Sequence, residues 1–201
     1  VKARENPFAS DRIERLAYRF TPGESWDSLL ARLEAQRWRG AIVGPHGTGK
    51  TTLLEQMVPH LSTRGFCPCL YTLRGESSND EKQALLSNSF GPSDFVLLDG
   101  AEQLSLRQWR TFEEISRLAA GGVVTQHRTG RWPTLLETAP SPALLAELVQ
   151  TLAGAELSDA DTLFSRHRSN LRECLRTLYD RWADGRFALG QRSPRGHAFR
   201  P

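Results

Sequence analysis

Apolar and polar residues change their spacing along the chain in blocks. Ser25 is placed to cap a helix, and Trp26, Leu29, Leu30 and Leu33 then fall at helical spacing, with Gly40 expected to end it. Ala41-Ile42-Val43 is a short apolar run before a glycine-rich turn. Lys50 to about Leu61 reads as a helix with Leu53, Leu54, Met57 and Val58 inward, and Pro59 is expected to kink or end it. Residues 66–73 read as a strand, 95–98 as a buried strand, 121–125 as another and 134–138 as a short fifth. Between them, 75–92 is mostly polar with a helix at 80–87, and 104–118 is helical. From Pro142 onward only helices follow, at 142–153, 158–167 and 170–184. Residues 1–23 look irregular, broken by Asn6-Pro7-Phe8 and Thr21-Pro22-Gly23, and the last 17 residues look like a flexible tail.

Strands alternating with helices imply an α/β fold: a parallel sheet with helices on both faces. The all-helical end implies a separate small lid or bundle. A length of 201 residues fits one medium domain, or a main domain with a small appendage. No apolar run approaches the roughly 18 residues of a membrane span, and the N-terminus has no signal-peptide core, so a cytoplasmic protein is expected. The chain starts at Val1, which allows a trimmed chain or a fragment.

Charge and cysteine content add less. The net charge of +3 hides an asymmetry: residues 165–201 carry nine arginines against three acids. A basic end can track a phosphate backbone, which makes nucleic acid a partner to consider; a solvated helix with a loose tail is the plainer alternative. Cys67, Cys69 and Cys174 make an odd count without a spaced set, so buried thiols are expected rather than a disulfide framework or a zinc site.

The turn after the first strand is Gly44-Pro45-His46-Gly47-Thr48-Gly49-Lys50-Thr51, a full match to G-x-x-x-x-G-K-[ST]. Glycines let the backbone turn tightly and aim N–H groups at an anion, and the following helix adds its positive N-terminal end. Lys50 is expected to reach the β- and γ-phosphates, and the Thr51 hydroxyl to coordinate Mg²⁺. The run from Gly44 through Thr51 together with Thr52 is the expected nucleotide-binding set, with ATP and Mg²⁺ as cofactors. A purely structural glycine turn would leave the Lys-Thr pair and the flanking strand and helix unexplained.

Phe95-Val96-Leu97-Leu98-Asp99 is an apolar strand ending in a carboxylate, the second element such a site needs; Asp99 joins Thr51 as a metal-ligand candidate. Gly100 follows, and the next acid, Glu102, is the candidate general base. A surface glutamate opening the next helix is the alternative, with slow turnover. The strand from Gly121 ends in Thr125, Gln126 and His127; Thr125 or His127 could face a γ-phosphate, or be ordinary strand-end polarity. The last helix opens with Asn170 as cap and Glu173 as its partner, and Leu171, Cys174, Leu175, Leu178 and Trp182 form its buried stripe. Arg172 lies beside that stripe, either reaching a phosphate or solvated.

On these residues the chain resembles the AAA+ ATPases and the neighbouring signal-transduction ATPases of the additional-strand P-loop class, over residues 6–184. Lys50 and Thr51 match Walker A, Asp99 matches Walker B, Thr125 to His127 occupy the sensor-1 position, and Ser169-Asn170-Leu171-Arg172 looks like sensor 2. The resemblance implies a three-layer α/β/α P-loop NTPase fold with five parallel strands in the order 5-1-4-3-2 and a small C-terminal helical lid. It places 6–16 near the adenine. The expected plan is a leading segment and helix at 1–40, a core at 41–140, a lid at 141–185 and a basic tail at 186–201. Two departures stand out. Gly100 replaces the usual catalytic glutamate, and residues 126–132 are too short for the helix that carries an arginine finger, although Arg128 and Arg131 remain.

Three functions compete. The first is an Mg²⁺-dependent ATPase that changes the conformation of a protein partner. The second is a nucleotide-gated switch with little turnover. The third is a small-molecule or nucleotide kinase, disfavoured because residues 126–133 leave no room for an arginine-bearing lid loop. Without an Asn-Lys-x-Asp guanine-reading element, ATP is preferred over GTP.

Overall fold

The computed structural model describes residues 5–187. They divide into two compact units: Ala17–Ala139, and a second unit built from the segment before Ala17 and the segment from Pro140 onward. The leading segment of the expected plan is thus shared between the units.

In the first unit, helix α2 (Trp26–Ala35) leads into strand β1 (Arg39–Val43), helix α3 (Lys50–Ser62) and strand β2 (Cys67–Thr72). Then come α4 (Asn79–Leu86), β3 (Asp94–Asp99), a 3-10 turn (Ala101–Gln103), α5 (Leu106–Ser116), β4 (Gly121–Gln126) and β5 (Thr134–Glu137). The strands are all parallel, in the order β2-β3-β4-β1-β5, which read from the opposite edge is 5-1-4-3-2.

The period-two alternation of the strands sorts their side chains between two layers. Ile42, Phe95, Leu97 and Val123 face α2 and α3, where Leu29, Leu33, Leu53, Leu54, Met57 and Leu61 are buried against them. Ala41, Val43, Val96, Leu98 and Val124 face α4 and α5, packing on Leu85, Leu86, Trp109 and Phe112. Each fully buried leucine of this kind contributes about 1.5–3 kcal/mol. The sandwich therefore fixes the strand ends on which the polar residues sit.

Several expected boundaries move. Gly40 does not end α2; it lies inside β1, where a Cβ would stand 2.8 Å from that of Leu135. The helix stops at Ala35 because Arg37 and Trp38 turn left-handed (φ 56° and 60°), and Trp38 N–H closes back on Leu33 O at 2.8 Å. Pro59 does not end α3, which runs on to Ser62. Cys67 is exposed and Cys69 half-buried on β2, because that strand is at the edge of the sheet; Cys174 is buried.

The second unit contains the short helix α1 (Ser10–Glu14), in a stretch expected to be irregular, and helices α6 (Pro142–Ala153), α7 (Ala160–Arg166) and α8 (Leu171–Ala183). Its core joins Phe8 to Leu145, Val149, Leu163, Cys174 and Leu178. Asn6 holds the leading strand of chain in place: its Nδ2 donates to Tyr179 O at 2.9 Å, and its Oδ1 accepts from Phe8 N–H at 3.0 Å. The expected tail lies outside the described residues beyond Phe187. Among the described residues, no helix is long and apolar enough to cross a membrane.

Candidate functional site

The glycine-rich turn joins the C-terminal end of β1 to the N-terminus of α3. Its first residue approaches β5 so closely that only glycine fits: a Cβ on Gly44 would stand 1.9 Å from Thr138 Oγ1. Lys50, the first residue of α3, is 8% exposed and folds back over the turn. Its Nζ donates to Gly44 O at 2.7 Å and to Pro45 O at 2.6 Å. The ammonium therefore rests on the loop's own carbonyls, at the positive end of a helix, where an anion is electrostatically favoured.

The next residue meets β3. Thr51 Oγ1 donates to Asp99 Oδ2 at 2.8 Å, and Thr125 Oγ1 donates to Asp99 Oδ1 at 2.5 Å. Thr125 Oγ1 in turn accepts from Gly100 N–H at 2.8 Å. Both carboxylate oxygens are thus held by hydroxyls, one from each flanking element. Oxygen donors of this hard type suit Mg²⁺.

Beyond Asp99 the chain turns sharply. Gly100 has φ 84°, and a Cβ there would stand 2.1 Å from Leu73 O. The left-handed turn throws Glu102 toward the end of β4, where Glu102 Oε1 lies 2.8 Å from His127 Nε2. That is a close contact without hydrogen-bond alignment, and Glu102 Oε2 is buried with no hydrogen-bond partner. The other nitrogen of His127, Nδ1, is 3.1 Å from Gly44 O; a carbonyl only accepts, so Nδ1 is the donor. The His127 ring also lies 3.9 Å from that of His46. One imidazole therefore touches Gly44 and His46 of the glycine-rich loop and also Glu102. A cleft of about 450 Å³ opens beside it, lined by Gly44, Pro45, His127, Arg128, Glu137 and Thr138.

An arginine-to-alanine variant of RuvB from Thermotoga maritima is similar in structure to this chain, with a TM-score of 0.51 over 79% of it at 20% identity. The chain spans 60% of that protein's chain. No protein-family model and no curated protein matches the chain. At this identity the likeness concerns fold. The chain has a P-loop NTPase-like fold.

Within that fold, the residues singled out in the sequence distribute unevenly. Lys50, Thr51, Asp99, Glu102 and His127 come together at the C-terminal edge of β1, β3 and β4. Arg128 lines the cleft, but Arg131 does not: its guanidinium donates to Ala101 O at 2.5 Å and Leu104 O at 2.9 Å, and sits 4.8 Å over the Trp109 ring. Burial lowers its pKa from the ordinary arginine value. Arg172 is exposed on α8 in the second unit, following the Asn170 cap, whose Oδ1 accepts from Glu173 N–H at 3.2 Å.

Three more residues lie beside the site: Thr138 and Tyr18, which carried no sequence signal, and Gln126, read in sequence as one of the polar residues ending its strand, whose carbonyl accepts from Gly44 N–H at 3.1 Å. Thr138 Oγ1 is 2.6 Å from Thr48 Oγ1. Gln126 is 3% exposed, and neither polar atom of its amide has a hydrogen-bond partner. The Tyr18 ring lies 3.3 Å from where a Cβ on Gly49 would stand, and Tyr18 N–H donates to Gln56 Oε1 at 2.8 Å. Burial, with Glu24 second, pushes the Tyr18 phenol up to about 12.

Proposed function

We propose that the chain binds ATP with Mg²⁺ at the loop from Gly44 to Thr52 and hydrolyses it, using the change of nucleotide state to alter a protein partner. The observation that carries this reading is the direct bond between Thr51 and Asp99 at 2.8 Å, next to a lysine-bearing loop on a helix N-terminus. Thr51 and Asp99 would hold Mg²⁺, which when bound neutralises charge on the β- and γ-oxygens.

Lys50 would leave the Gly44 and Pro45 carbonyls for the phosphates, exchanging neutral acceptors for anionic ones. Glu102 would orient the attacking water and take its proton. The water oxygen bonds to the γ-phosphorus, the bond from that phosphorus to the bridging oxygen breaks, and ADP leaves with the electron pair. His127 places Glu102 relative to the loop through its contacts at 2.8 Å and 3.1 Å. In this reading the helical unit acts as a lid, with Arg172 its contact to phosphate, in a cytoplasmic protein. A nucleic-acid partner would engage the arginine-rich C-terminal region.

A second reading, a nucleotide-gated switch with little turnover, is favoured by one observation: Glu102 is engaged by His127. Calorimetry with ATP and Mg²⁺, run beside a phosphate-release assay, separates the two. The ATPase reading expects binding and release by wild type, loss of binding by Lys50→Ala, and binding without release by Glu102→Gln. Binding by wild type with no release, even with candidate partners added, supports the switch. No binding of any nucleoside triphosphate ends both.

A further inference from the structure

Thr138 is the last polar residue before the chain leaves the sheet. It follows β5 directly, it is 8% exposed, and Ala139-Pro140-Ser141 then leads into α6, with Ser141 as the helix cap. Its backbone is tied to β1, with N–H donating to Val43 O at 2.9 Å. Its hydroxyl points at the phosphate loop. Oγ1 is 2.6 Å from Thr48 Oγ1 and 3.3 Å from Val43 O. Thr48, 4% exposed, is in turn 3.0 Å from Pro45 O through the same hydroxyl.

Each hydroxyl has one proton, so only two directed chains satisfy both residues. In one, Thr138 donates to Thr48 and Thr48 donates to Pro45 O. In the other, Thr48 donates to Thr138 and Thr138 donates to Val43 O. Pro45 O decides between them, because it also accepts from Lys50 Nζ at 2.6 Å. While Lys50 rests there, the carbonyl is satisfied without Thr48. When Lys50 moves to a phosphate, Pro45 O keeps a donor only if Thr48 supplies it, which selects the first chain. The close packing of Gly44, which leaves no space for a Cβ beside Thr138 Oγ1, keeps the two hydroxyls in register.

We infer that Thr138 is a positioning residue: it sets the geometry of the phosphate loop through Thr48 and carries the loop's nucleotide state to the connection into the helical unit. The inference rests on the nucleotide-binding reading above. Pro140 gives that connection a fixed φ and no N–H, so a shift at Thr138 is absorbed by few free torsions.

The test compares wild type, Thr138→Val, Thr138→Ser and Thr48→Val. Two quantities are read: ATP affinity by calorimetry, and hydrogen exchange over 139–145 with and without a non-hydrolysable ATP analogue. Losing one such hydroxyl bond is expected to weaken ATP binding about fivefold in Thr138→Val and Thr48→Val. Both are also expected to lose the nucleotide-dependent change in exchange. Thr138→Ser, which keeps the hydroxyl, retains wild-type behaviour. A purely structural role predicts a lower melting temperature with affinity and exchange response unchanged, and that result overturns the inference. Should Thr138→Val not fold, Thr48→Val removes the same bond from the other side, and unchanged affinity there is equally decisive against it. If wild type binds no nucleotide, the underlying reading fails and takes this inference with it; wild-type binding with unaffected variants sinks the inference alone.

Discussion

The Glu102 carboxylate sits 2.8 Å from His127 Nε2, and the opposite nitrogen of the same ring is 3.1 Å from the carbonyl of Gly44. A side chain three residues past Asp99 is thereby linked to the first residue of the glycine-rich loop. If Glu102 is the base, its position depends on His127. Glu102→Gln is expected to lower phosphate release about 10²–10⁴-fold with ATP binding kept. His127→Ala should lower release by a smaller factor and leave binding within a few-fold, since Lys50 is untouched. Equal rates in Glu102→Gln and wild type would remove Glu102 from the mechanism.

Removing the metal tests the other half of the site. With Thr51 and Asp99 as the ligands, chelation of Mg²⁺ is expected to abolish phosphate release and weaken ATP binding at least tenfold. Thr51→Ala should bind ATP more weakly and need higher Mg²⁺ for half-maximal release, whereas Thr51→Ser should stay near wild type. An unchanged Mg²⁺ requirement in Thr51→Ala would take the hydroxyl out of the metal site.

The pairing of Thr51 with Asp99 was legible because each lies in a contiguous pattern: a spaced glycine-lysine-threonine turn, and an apolar strand ending in acid. The contact between Glu102 and His127 was not, although both were singled out. The expected order already set β4 beside β3; the contact depends further on the left-handed turn at Gly100 that brings Glu102 back to the end of β4, and that turn has no period in sequence. Thr138 was not legible although β5 was expected beside β1, since its contact with Thr48 arises only from the close approach of Gly44 to the end of that strand. The end of α2 was misread because Gly40 is the stronger local stop signal, yet left-handed Arg37 and Trp38 turn the chain first. Helix α1 has five residues, too few to show a helical repeat. Arg131 remained in sequence as one of two arginines in the segment too short for a finger-bearing helix, whereas Ala101 and Leu104 supply the carbonyls to which its guanidinium donates.

That role for Arg131 is testable as stability. Its guanidinium closes the 3-10 turn that carries Glu102 onto the loop after β4, through two carbonyl acceptors and the Trp109 face. Arg131→Ala removes the donor to Leu104 O, takes one of two donors from Ala101 O, which keeps Leu104 N–H at 3.1 Å, and removes the cation–π contact, a loss of about 1–3 kcal/mol. Chemical denaturation should show that drop. Arg128→Ala, on the cleft wall, should unfold near the wild-type midpoint; the reverse pattern would reassign the two arginines.

Tyr18 sets an alkaline limit. Its phenol is pushed up to about 12 in the folded chain, chiefly by burial, against an ordinary value of 10.0. A raised folded pKa means the unfolded chain loses this proton first. The stabilisation is therefore complete below about pH 10 and is lost as pH rises toward about 12. Tyr18→Phe has no proton to lose, so its melting temperature should fall less steeply over that window. Parallel curves for the two proteins would show that the phenol is not protected by folding.

The turn at Gly100 leaves no room for an acidic side chain directly after Asp99. With φ 84° and Leu73 O 2.1 Å from any Cβ, this turn excludes every side chain. The backbone N–H of Gly100 also donates to Thr125 Oγ1, which holds Asp99. A residue forced into this place must either clash with β2's exit or move the peptide that fixes Thr125. Gly100→Ala is therefore expected to cost roughly 3 kcal/mol or more, well above the ordinary penalty for a left-handed alanine. Gly100→Glu, which would restore the acidic position, should be destabilised at least as much and release phosphate no faster than wild type. The decisive measurement is the melting temperature of Gly100→Glu together with its release rate. A stable variant with a faster rate would mean that this turn rearranges freely and that Glu102 is not the residue on which hydrolysis depends.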